Sequence, residues 1–178
     1  MTTALTTKEK CADFSIGPAD APVTLIEYCD FQSQGCQAMS TIVAQLMANH
    51  NNLRFVFRPL PLIGVNDKAE ASTLAALAAN EQGKFWEIYD LLFVRYSEWV
   101  NLSPTEFTEW VLNEADEIGI DSNQLSDKMK ADETRTKMMS MYEAASDLNL
   151  AAVPLILING EQFYLLDYQN ISDTIGVI

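Results

Sequence analysis

The sequence predicts an α/β fold with an all-helical insertion. Three observations carry that reading. A short apolar run, Val23 to Tyr28, is followed at once by a helical pattern and then by a second strand pattern. Residues 66–147 are rich in helical patterns and poor in strand patterns. An apolar run after Pro154 then meets an Asn159-Gly160 turn and a second short strand pattern.

Taken in order, residues 1–12 read as a tail or linker, and Asp13 to Ile16 as a short strand. Gly17 to Pro22 is turn-rich. Val23 to Tyr28 is the first core strand. A helix should run from about Ser33 to Ala48, because Met39, Ile42, Val43, Leu46 and Met47 recur at spacings of three and four. Ser33 suits its N-cap, since a serine hydroxyl accepts from the orphaned first-turn N–H groups. Leu53, Phe55 and Phe57 alternate with Arg54, Val56 and Arg58 in the next strand, and Pro59 to Leu62 stops it. Five helical patterns follow the Gly64 region. Asp67 to Gln82 is alanine-rich and ends at Gly83, and Lys84 to Phe93 is aromatic-rich. Ser103 to Ile118 opens with Ser103, Pro104 and Glu106, a capping-box pattern. Asp121 to Lys130 and Asp132 to Leu148 complete the set. Phe85, Trp86, Tyr89, Leu92 and Phe93 read as core packing rather than a binding box, as do Met138, Met139 and Met141. After the hairpin over 155–166, Asn170 to Ile178 begins a last helix.

Composition narrows the functions. With 178 residues, 48% of them hydrophobic, the chain can bury a sizeable core. Its net charge of −14, from 25 acidic and 11 basic residues, argues against nucleic acid and anionic membrane surfaces as partners. No run approaches the roughly 18 apolar residues of a membrane helix. Met1 to Lys10 lacks the apolar core of a signal peptide, so either the protein is cytoplasmic or a leader or anchor lies outside this chain. The three cysteines are Cys11, Cys29 and Cys36, and no Cys/His cluster has zinc spacing. The one histidine, His50, reads as a solvated residue near a helix end.

The segment Asp30-Phe31-Gln32-Ser33-Gln34-Gly35-Cys36, the Gln82-Gly-Lys-Phe-Trp86 element and Val153-Pro154 with its Asn-Gly hairpin occur in an order that resembles the DsbA-like branch of the thioredoxin superfamily. The resemblance spans about Gly17 to Gly176. It implies a thioredoxin-like fold: a central mixed β-sheet flanked by helices, built from residues 13–65 and 149–178, with the helical insertion over 66–148. It implies a disulfide oxidoreductase whose turn reads Cys-Pro-x-Cys. Here Ser33 stands at the nucleophilic cysteine and Gln34 at the proline. An engineered cysteine-to-serine change would disable exchange in the same way, but the simultaneous loss of the proline argues for natural divergence. Cys36 keeps the second cysteine's place. Glu27, six residues before Ser33, matches the carboxylate buried beneath the cysteine pair, a proton relay; the other reading is a strand-end Glu facing solvent. Val153 precedes a proline that the fold makes cis, and its backbone is the docking edge for an extended peptide or protein substrate, with Gln34 and Gly35 on the facing turn. The family also suggests an extracytoplasmic place, and the short last helix suggests a further domain beyond Ile178.

Exchange between dithiol and disulfide needs two sulfurs, so ordinary dithiol exchange is expected to be impaired or lost. Cys29 is a candidate second thiol. A bridge needs Cα atoms within about 7 Å; two separate buried thiols are the favoured reading of Cys29 and Cys36. Two other functions compete. One is a non-catalytic peptide-binding module that keeps the Pro154 edge. The other is a glutathione-using enzyme, since kappa-class transferases carry a similar Asp-Phe-x-Ser, and Ser33 would there activate the glutathione thiol. Otherwise no cofactor and no metal is implied.

Overall fold

The structure is a computed structural model that describes residues 14–147, 152–164 and 166–177; the expected tail over 1–12 and Cys11 lie outside them. Among the described residues five strands form one sheet in the order β1-β3-β2-β4-β5: β1 (Phe14–Ile16), β2 (Val23–Cys29), β3 (Leu53–Pro59), β4 (Leu155–Ile158) and β5 (Glu161–Phe163). β2 runs parallel to β3 and antiparallel to β4, and the two edge pairs are antiparallel. The sheet is therefore mixed, and β2 lies at its centre.

Side chains alternate across a strand with period two. Val23, Leu25 and Cys29 accordingly face the larger core with Phe55 and Phe57. Ile26 and Tyr28 face a smaller one with Val56, Leu60 and Leu157. Glu27 shares the parity of Leu25 and Cys29, which turns it toward the larger core. Arg58 is buried on the opposite side, where its guanidinium donates to Tyr28 Oη at 2.6 Å.

Helix α1 (Gln34–Asn49) connects β2 to β3 and buries Cys36, Met39, Val43 and Leu46. His50 is its C-cap and is half-buried, with Nε2 2.8 Å from Ser172 Oγ, rather than solvated. Between β3 and β4 the chain forms α2 (Ala69–Asn80), α3 (Phe85–Val94), α4 (Tyr96–Trp99), α5 (Pro104–Glu117), α6 (Ser122–Met129) and α7 (Asp132–Asp147). Ser103 and Glu106 form the capping box at the start of α5. The aromatic run packs as core: Phe57 lies 5.0 Å from Tyr89 by ring centroids, and Tyr89 lies 4.9 Å from Phe93. Met138 and Met141 are buried and Met139 is half-buried.

Three boundaries differ from the sequence pattern. The four-residue α4 was not foreseen, because one turn carries no period. β5 ends at Phe163, short of Leu166. The last helix, α8 (Tyr168–Gly176), starts earlier because Asp167 caps it by accepting from the Asn170 N–H at 3.0 Å.

Candidate active site

The site forms where β2 ends and α1 begins. Asp30 is fully buried and organises the turn between them. Its Oδ1 accepts from the Gln32 N–H at 2.8 Å, and its Oδ2 accepts from the Leu62 N–H and Asn66 Nδ2, both at 2.9 Å. Burial still raises its pKa from the ordinary carboxylate value, against these three donors. The Ser33 N–H closes the turn by donating to the Asp30 carbonyl at 3.0 Å. Ser33 Oγ caps α1 by accepting from the Cys36 N–H at 3.4 Å.

This turn corrects the expectation of two separate thiols, and with it that of Cys36 as a lone thiol. Cys29 and Cys36 form a disulfide, with Cα atoms 5.8 Å apart. That lies inside the roughly 7 Å reach of a bridge. The physical reason is the doubling-back of the chain at Asp30, which folds the strand end against the first helical turn. Both cysteines are fully buried.

Glu27 lies beneath the pair. It is fully buried, which overturns the solvent-facing alternative, and its Oε1 stands 2.9 Å from Cys29 Sγ. Burial pushes its pKa up to about 8. A disulfide sulfur carries no proton. The neutral carboxylic acid therefore supplies the hydrogen of this contact, with sulfur as a weak acceptor. Glu27 Oε2 and Tyr89 Oη are both buried without a hydrogen-bond partner among the described residues.

The outer side of the site is different. Ser33 is half-buried, and Gln34 and Gly35 are exposed. The Val153–Pro154 peptide is cis. A Cβ placed on Gly35 would stand 2.9 Å from Pro154 Cδ, so the proline lies directly against the turn. β4 pairs with β2 only from Leu155 onward, leaving Val153 and Pro154 just past the ladder, both half-buried. The structure thus brings Glu27, Cys29 and Cys36 together inside, and Ser33, Gly35 and Pro154 together at the rim.

Sequence reasoning missed Asp30, Gln32 and Tyr89. Gln32 Nε2 donates to Asp67 Oδ1 at 2.7 Å, its Oε1 accepts from the Lys68 N–H at 2.6 Å, and its carbonyl accepts from Tyr96 Oη at 2.7 Å. These partners lie 35 to 64 residues away in sequence, beyond any local pattern. The signals available for Asp30 were an acid directly after an apolar strand and its place in the Asp30-Phe31-Gln32-Ser33 segment.

The thioredoxin family profile matches residues 9–176. The chain is 30% identical over 148 residues to "Na(+)/H(+) antiporter NhaA 3" of Salinispora tropica, covering 83% of this chain and 22% of that protein. It therefore spans about a fifth of the length of that relative. It is 26% identical over 156 residues to the "Probable disulfide bond formation protein D" of Bacillus anthracis, covering 82% and 69%. Among solved structures, oxidised BdbD from Bacillus subtilis superposes with a TM-score of 0.76 at 20% identity, over 92% of this chain and 90% of that one. Among the described residues no helix is long and apolar enough to cross a membrane. The chain belongs to the thioredoxin family.

Proposed function

We propose that this is a DsbA-like domain in which ordinary dithiol exchange with protein substrates is lost or severely impaired, while the Pro154 edge still docks extended peptide. One observation carries the reading: the position that would present a nucleophilic sulfur holds Ser33, and the sulfurs the chain does pair are both fully buried. Exchange begins when a thiolate reaches a disulfide sulfur in line, so access limits its rate. The half-buried stretch at Val153 and Pro154, just past the β4 ladder, supports docking by strand addition, in which main-chain groups give affinity and side-chain pockets give selectivity. Relatives that match only over part of a longer protein support reading the domain as a module, and those called disulfide bond formation protein D support an extracytoplasmic place for it.

Insulin reduction in the presence of dithiothreitol tests the first half. The expected rate is that of the uncatalysed control. A rate comparable to an oxidoreductase with an intact Cys-x-x-Cys turn would overturn the reading. Titration of fluorescent extended peptides tests the second half, and no binding to the oxidised chain by any peptide of a degenerate set would remove it.

A further inference from the structure

The larger core contains a second chemical possibility that depends on the state of the disulfide. Glu27, Cys29 and Cys36 can each offer one ligand atom, and those atoms all lie within 4.8 Å of one another. All three residues are fully buried. Glu27 Oε2 is a carboxylate oxygen held inside without a hydrogen-bond partner among the described residues. A buried polar atom left without a partner is costly in an apolar core, and a cation would satisfy it.

We propose that the reduced form of this chain holds a thiophilic divalent cation, zinc, through Cys29 Sγ, Cys36 Sγ and the Glu27 carboxylate. The oxidised form excludes it, because a disulfide offers no thiolate. The step balances with a thiol or phosphine reductant. Two electrons and two protons convert the Cys29–Cys36 disulfide to two thiols; a thiol reductant supplies both and leaves as its disulfide, whereas a phosphine supplies the electrons and leaves as its oxide, with the oxygen and both protons coming from one water. On coordination both S–H bonds and the Glu27 carboxylic acid release their protons to solvent, three in all, and two metal–sulfur bonds and one metal–oxygen bond form.

The geometry fits the cation. Tetrahedral zinc takes sulfur at about 2.3 Å and carboxylate oxygen at about 2.0–2.2 Å. Cα atoms 5.8 Å apart let both sulfurs reach one ion once the S–S bond is open. Two thiolates, one carboxylate and one divalent cation carry a net negative charge, and the N-terminus of the 16-residue α1 faces that charge favourably. A water fills the fourth position, as in zinc sites with three protein ligands. The pattern is hidden in sequence: the carboxylate and one thiol come from alternate positions of β2, and the other thiol arrives through the turn.

The full chain, reduced with a phosphine under argon and freed of reductant, is titrated with Zn(II) and, separately, with Co(II). One zinc per chain is expected, at about 1 µM or tighter, with a thiolate-to-cobalt charge-transfer band. The oxidised chain should take up none. Cys11→Ser should leave uptake unchanged, whereas Cys36→Ser should abolish it and Glu27→Gln should weaken it at least about tenfold. Zinc uptake that is absent from the reduced chain, or that survives Cys36→Ser, or that disappears with Cys11→Ser, would overturn the proposal. These readouts count metal and are independent of the exchange assay.

Discussion

Gly35 packs directly against Pro154: a Cβ at position 35 would lie 2.9 Å from Pro154 Cδ and 3.7 Å from Ser33 Oγ. The first of these is closer than carbon atoms approach in folded proteins. Gly35→Ala must therefore push the proline or the first turn of α1 aside. The overpacking should cost about 1–3 kcal/mol and lower peptide affinity severalfold. Thermal denaturation and peptide titration read the two effects, and unchanged values in both would mean that the Pro154 edge is not held by this contact.

Replacing both cysteines, Cys29→Ala with Cys36→Ala, should destabilise the oxidised protein. A cross-link closing a loop of about eight residues restricts the unfolded chain by about 2.5 kcal/mol at 25 °C in the chain-entropy account. Urea denaturation with and without reductant checks it. A wild-type midpoint that does not move on reduction would contradict the pairing.

Stability should fall as pH rises through the neutral range because of Glu27. Its pKa is 4.5 ordinarily and about 8 in the fold. Between those values the folded chain keeps a proton that the unfolded chain has lost. The stabilisation is complete below pH 4.5 and is lost progressively up to about pH 8. The slope is at most about 1.4 kcal/mol per pH unit. Glu27→Gln should flatten this part of the profile, measured by denaturation from pH 5 to 8, and a parallel profile for the variant would refute it.

Ser33→Cys combined with Cys29→Ala moves the pair to the rim. A cysteine at a helix N-cap is favoured as thiolate by the first-turn N–H groups, and Cys36 is then free to resolve a mixed disulfide. Insulin reduction should rise at least about tenfold above that of the unaltered chain. No gain would locate the loss of exchange elsewhere than at position 33.

Local chemistry explains which parts of the fold could be read from the residues. The Asn159-Gly160 hairpin was legible because both residues adopt positive φ, 48° and 87°, a demand that few residue types meet. The start of α5 was legible because a capping box is written within four residues. The Ser33 cap was legible for the same reason. The disulfide was not, since the turn that brings Cys29 to Cys36 is held by Leu62 and Asn66, 32 and 36 residues beyond Asp30. Tyr89 reads as one more core aromatic, and only packing reveals that its hydroxyl is left without a partner among the described residues.

Gln32 is tied at three points to the segment that follows β3 and to α4, and Asp30 is tied to Leu62 and Asn66. The turn that presents Ser33 therefore cannot loosen while those segments stay in place. In hydrogen-exchange terms the amides of Gln32, Leu62 and Lys68 belong to one opening unit. A partner that grips the helical insertion would thus slow the breathing of the turn without touching it.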